Sequence, residues 1–191
     1  MAGDGNYLYL VQDTQDSLLG NTLQIDQSLA TNSSVAGSLN GFLPALQLGG
    51  GNSANITVEN ERATVLLNQD NSLAPSLSGN AATIFGGELA VVALEQLGSG
   101  NLGNIEVTGR GNIGSLSQTG DRNNGSVLVS GTSNSGTLNQ VGNDNTYGLS
   151  VSGSATNVTF NQVGNNMTAT GSPTVFSNAG TVVITQTTLS R

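Results

Sequence analysis

The side chains able to do acid–base or nucleophilic chemistry are few. The chain has 191 residues, twelve of them Asp or Glu, and it contains no histidine, cysteine, lysine or tryptophan. Paired carboxylates can cleave a glycosidic bond when a fold holds them a fixed distance apart. Here Asp121 and Asp144 fall in turn-like segments, Glu95 and Glu106 at outward strand positions, and no pair recurs. The missing histidine and lysine remove the usual proton shuttles and Schiff-base chemistry. The missing cysteine removes disulfides and thiolate metal sites. Neither an EF-hand loop nor a Gly-Gly-x-Gly-x-Asp calcium repeat occurs, so Asp121 and Asp144 read as solvated turns. Gly109-Arg110-Gly111 lacks the strand-to-helix setting of a nucleotide loop. The sequons at Asn55, Asn124, Asn157 and Asn166 are expected by chance in so asparagine-rich a chain. The expectation is no enzyme: no catalytic residue, no cofactor and no metal.

What recurs is amide rather than acid. Gln96, Gln118, Gln140 and Gln162 stand 22 residues apart, each followed two residues later by Gly98, Gly120, Gly142 or Gly164. Asn101, Asn123 and Asn145 lie five residues after the first three glutamines. A fixed period of this length marks a stacked repeat, a supersecondary unit copied along an axis. Two residues before each glutamine are Leu94, Leu116, Leu138 and Phe160. Nine after are Ile105, Val127 and Leu149; eleven after are Val107, Val129 and Val151. Offsets that differ by two share one face of a strand, so these residues are the predicted core. The unit reads strand, turn, strand, turn, with glycine and asparagine supplying turns that need positive φ.

One such rung cannot bury its apolar face, whereas stacked rungs can. Stacking also solves the problem of inward glutamine. A buried amide without partners costs roughly 1–3 kcal/mol, but in a ladder each can donate to one neighbour and accept from the other. The sequence thus predicts an all-β fold, a β-solenoid of about eight two-strand rungs, roughly 40 Å long at ~4.8 Å per rung.

The repeat extends outward unevenly. Gln47 and Gln69 are again 22 apart, with Gly49, Asn52, Ile56 and Val58 in the expected places. The interval from Gln69 to Gln96 is 27, which assigns an insertion to 72–93. The remaining divisions are degenerate N-terminal rungs over 1–46, repeat-like rungs over 47–71, regular repeats over 94–166, and a degenerate C-terminal rung over 167–191. Gln12 opens the first rung, with Leu23 eleven and Ile25 thirteen residues later; 26–46 reads as irregular; Gln186 opens the last. Pro44, Pro75 and Pro173 all avoid the regular stretch, as expected of a residue that cannot donate to a ladder.

The Gln-x-Gly-x2-Asn units at Gln47, Gln96, Gln118 and Gln140, with Ala54 also in place after Gln47, resemble the curlin repeat. The match covers 47–71 and 94–166. Asn112, Asn134 and Thr156 stand where curlins carry serine, and Val58, Val107, Val129 and Val151 replace the second curlin glutamine. The resemblance implies a two-sheet solenoid, export through an outer-membrane pore and assembly into surface fibres, with a nucleator or anchor as partner. A minor or anchor subunit is an alternative within that family.

Composition agrees with self-assembly rather than other partners. Net charge is −8 with four arginines, Arg62, Arg110, Arg122 and Arg191, which disfavours nucleic acid. No apolar run is long enough for a membrane span, and the first residues lack the basic and apolar segments of a secretory signal. Strand-like segments at both ends (Tyr7–Val11 and Thr181–Thr185) suggest head-to-tail addition, which does not close and gives a filament. The expected function is a structural subunit of an extracellular or cell-surface fibre whose main partner is itself. The competing reading is a discrete solenoid that binds or anchors to envelope, glycan or phage fibre.

Overall fold

The computed structural model describes residues 4–14, 18–73, 78–168 and 174–188. Pro75, Pro173 and Arg191 lie outside them.

The chain order begins β1 (Tyr7–Leu8), β2 (Leu10–Asp13), β3 (Thr22–Thr31), β4 (Ser34–Ala36), β5 (Ala45–Leu48), β6 (Ser53–Glu61), β7 (Thr64–Asp70) and β8 (Ala81–Gly86). It continues with β9 (Val91–Leu97), β10 (Leu102–Val107), β11 (Ile113–Thr119), β12 (Asn124–Val129) and β13 (Ser135–Val141). The last four are β14 (Thr146–Gly153), β15 (Thr156–Val163), β16 (Thr174–Ser177) and β17 (Gly180–Thr187). Every pairing is parallel. One sheet runs β1-β4-β7-β9-β11-β13-β15-β17, with β2 and β5 completing its first two layers; the other runs β16-β14-β12-β10-β8-β6-β3. The molecule is a β-solenoid of two facing sheets, eight layers deep in the first and seven in the second.

Register follows the sequence period. Gln96, Gln118, Gln140 and Gln162 are successive partners in one column, and Ile105, Val127 and Leu149 in another. The core columns are closed to solvent: Leu94, Leu116, Leu138, Phe160, Ile105, Val127, Leu149, Val107, Val129 and Val151 are all buried.

The two inner faces are complementary in volume. A Cβ on Gly125 of β12 would lie 2.7 Å from Leu116 and 2.8 Å from Gln140. A Cβ on Gly114 of β11 would lie 2.5 Å from Val107. Small residues on one sheet therefore make room for glutamine, leucine or valine on the other, giving the interdigitation that close packing demands. Where Tyr147 replaces glycine in the column of Gly103 and Gly125, it stacks on Phe160 with ring centroids 3.8 Å apart.

Three details differ from the sequence reading. First, 26–46 is largely regular. β4 and β5 lie on the same strand, β7, with Ala36 opposite Leu66 and Leu46 opposite Asn68. Only residues 37–44 loop out, and Pro44 ends that excursion. Second, the insertion assigned to 72–93 falls between β7 and Asn80. From Ala81 onward the chain is in register with its neighbours. Third, Leu23 pairs with Ala54 and Ile25 with Ile56, four residues out of the step that Gln12 predicts. The extra residues lie between β2 and β3. Gly109, Gly131 and Gly153, thirteen residues after Gln96, Gln118 and Gln140, are corner residues with φ of 80°, 98° and 116°.

Candidate functional site

The glutamine column is a continuous hydrogen-bonded rail. Gln12 donates to Gln47, and Gln47 to Gln69 at 2.8 Å. The rail continues to Gln96, Gln118 and Gln140, each step at 2.8 Å, then to Gln162 at 3.0 Å and Gln186 at 3.3 Å. In each step the Nε2 belongs to the earlier residue and the Oε1 to the later. From Gln47 to Gln162 a second bond from the same Nε2 fixes this orientation, because it goes to a backbone carbonyl that can only accept. Those carbonyls belong to Thr22, Ser53, Ala81, Leu102, Asn124 and Met167. The rail is polar: donors point toward the C-terminal end of the stack.

Asparagines form a second column running the other way. Asn123 N–H donates to the Asn101 side-chain oxygen at 2.9 Å and Asn145 N–H to that of Asn123 at 3.1 Å. The Nδ2 groups of Asn101, Asn123 and Asn145 hold the corners by donating to the carbonyls of Gly120, Gly142 and Gly164. This explains the Gln-x-Gly-x2-Asn spacing. The glycine turns the chain with φ of 108° at Gly120, and its carbonyl is the acceptor for the asparagine of the preceding rung. Gly98, Gly142 and Gly164 take the same conformation. Asn52 extends the column, its side-chain oxygen accepting the N–H of Asn80 at 3.0 Å.

Sequence reasoning missed some of this lattice. Asn80 belongs to the same column, receiving the Asn101 N–H at 3.0 Å, but the insertion puts it eleven residues after Gln69 instead of five. Asn112, Asn134 and Thr156, aligned in the sequence at the curlin serine position but not read as a ladder, make a third column, with Asn134 N–H donating to Asn112 at 2.7 Å and Thr156 N–H to Asn134 at 2.9 Å. Their shared offset before the glutamine was the available signal.

Four of the carboxylates make structural contacts. Arg122 and Asp144 form a bidentate pair at 2.7 and 2.8 Å across one rung step. The guanidinium lowers the Asp144 pKa, and the same contact raises that of Arg122. Asp121 accepts from the N–H and hydroxyl of Ser99. Glu88 pairs with Arg110 at 2.9 Å, and Glu95 accepts from Ser117. Glu95 and Glu106 lie on opposite sheets and both face solvent.

The unusual surfaces are the two ends of the stack. Six hydrophobic residues pack against the core while remaining only partly buried: Leu10, Leu23, Ile25, Val175, Val182 and Ile184. All six sit in terminal layers. In the columns of Ile184 and Val182, the neighbours Phe160 and Val158 are buried. Leu8, in the same column as buried Val35, is 51% exposed. Among the described residues no helix covers either end, and the terminal strands β1, β2, β3, β16 and β17 pair on one side only.

No protein-family model, no curated protein and no solved structure matches this chain.

Proposed function

We propose that the protein is a structural subunit that polymerises end to end, rung upon rung, into a fibre outside the cell or on its surface. The unfinished core at both ends carries this reading: the same columns that are sealed within the stack are open only in the terminal layers. A further copy offers the parallel strand and inward residues that each end lacks, the strand-addition mode of association. The resemblance of the Gln-x-Gly-x2-Asn units to curlins supports the same reading, and extends it to a matrix or adhesive role after secretion through an outer-membrane pore. Chemistry at a residue site forms no element of the proposal.

The test is to hold purified protein at rising concentrations and follow it by light scattering, negative-stain microscopy and fibre diffraction. Unbranched filaments with a meridional repeat of about 4.8 Å are expected. A species that stays monomeric for days at high concentration overturns the reading.

A second reading, a discrete binding module, draws on the excursion 37–44. It projects Leu39, Phe42 and Leu43 into solvent. Under that reading the soluble monomer binds a glycan or envelope component saturably, and removing the three side chains abolishes binding.

A further inference from the structure

We infer that the two ends are a matched donor–acceptor pair, so that growth is strictly polar: the C-terminal edge β17 of one copy docks on the N-terminal edge β1–β2 of the next. This rests on the polymerisation reading and specifies its junction.

The glutamine rail supplies the first reason. Every Nε2 in it points toward the C-terminal end. At that end Gln186 has its oxygen occupied by Gln162 and its Nε2 without a hydrogen-bond partner among the described residues. At the other end Gln12 donates to Gln47, and no described group donates to its own oxygen. Joining a C-terminal end to an N-terminal end therefore places a spare donor over a spare acceptor. Joining like ends places donor on donor or acceptor on acceptor. The two asparagine columns cannot make this link at the C-terminal end. One stops at Met167, whose N–H caps Asn145. The other stops at Thr156, opposite Gly180.

The backbone supplies the second. Tyr7 N–H and Tyr9 N–H both donate forward to the next layer, to Ser33 O and Val35 O. Following the register up the stack, these columns reach Thr181 and Val183 in β17. Their N–H groups point away from β15, and no further layer meets them among the described residues. Seating β1–β2 of a second copy there puts Leu8 over Val182, Leu10 over Ile184 and Gln12 over Gln186, the pairings already used between interior layers.

Charge supplies the third. Asp4, Asp13, Asp16 and Asp26 lie in the first 26 residues, while no acid follows Asp144. Two N-terminal ends repel each other; an N-terminal and a C-terminal end do not.

The test uses one block at each end. Val183→Pro removes an N–H that the subunit leaves unused, at a side chain 64% exposed, in a strand conformation that proline accepts on an edge. Leu8→Lys puts an ammonium in the apolar column of the other end, where it reaches water in the monomer but is trapped in a junction. Circular dichroism at low concentration checks that both variants keep the wild-type strand signal. Each alone is expected to remain monomeric by light scattering. An equimolar mixture is expected to give heterodimers and nothing longer, since only one productive pair of ends remains. Homodimers of either variant would overturn polar growth, as would filaments from either variant alone or a mixture that stays monomeric while wild type elongates. Wild type that fails to elongate sinks the fibre reading itself, and this junction with it.

Discussion

Gln118 Nε2 donates to Gln140 Oε1 at 2.8 Å and, with its other hydrogen, to the Leu102 carbonyl at 3.0 Å. One side chain thus ties its own rung to the next rung of the first sheet and to the opposite sheet of its own turn. Because both donors are satisfied, a column of fully buried amides coexists with a dry aliphatic core.

The first prediction concerns Gln140. Leucine there has a suitable shape, yet it deprives Gln118 of an acceptor and leaves Gln162 Oε1 without its donor. Each orphaned polar group costs about 1–3 kcal/mol, so Gln140→Leu should destabilise the fold by roughly 2–6 kcal/mol in urea unfolding. Gln140→Lys adds an unpaired buried charge and should fall well below it. Equal midpoints for the two variants would show that the cost comes from lost shape and not from lost hydrogen bonds.

Much of this architecture is legible in the sequence, for a physical reason. Parallel in-register stacking forces every column to repeat the chemistry of its neighbours, so Gln96, Gln118, Gln140 and Gln162 appear at constant spacing. The reading fails where rung length changes at a turn. Asn80 and Leu23 sit in regular columns, but insertions before them shift their numbers. A turn can absorb extra residues without disturbing the strands on either side, so counting along the chain is blind to it. Inter-sheet complementarity was equally hidden. Gly114 and Val107 compensate across the interior, and no period within one strand records that.

The second prediction separates two glycines with the same sign of φ. Gly120 has φ of 108°, and a Cβ there would lie 2.3 Å from the Gly142 carbonyl oxygen of the next rung. Gly111 has φ of 68°, and its nearest contact is the Ser133 hydroxyl at 3.8 Å. Gly111→Ala should cost about 1–2 kcal/mol, the left-handed penalty alone. Gly120→Ala must also push adjacent rungs apart, and its loss should be clearly larger. Matching losses in chemical denaturation would mean that rung spacing is soft at this corner.

The third prediction reverses that logic. Ala155 occupies the corner after β14 with φ of 52°, the conformation taken by Gly111 two rungs earlier. Its N–H is bonded to Thr132 O, so the position is held despite the unfavourable φ. Ala155→Gly removes the steric penalty and should raise stability by up to about 1 kcal/mol after the entropy cost of glycine. A lower thermal midpoint than wild type would contradict it.

The fourth prediction is a pH dependence seated on Tyr147. Burial against Phe160 disfavours the phenolate and pushes the Tyr147 pKa up. The unfolded chain releases this proton near pH 10, whereas the folded chain still holds it. Protons then bind more strongly to the native state, so stability is complete below about pH 10 and declines as pH rises through the native pKa. Tyr147→Phe keeps the stacked ring and removes the ionisation. Its thermal midpoint should be close to wild type at pH 7 and higher than wild type at strongly alkaline pH. The gap between the two proteins should open only above about pH 10; a gap that is constant from pH 7 upward would assign the effect to packing instead of proton release.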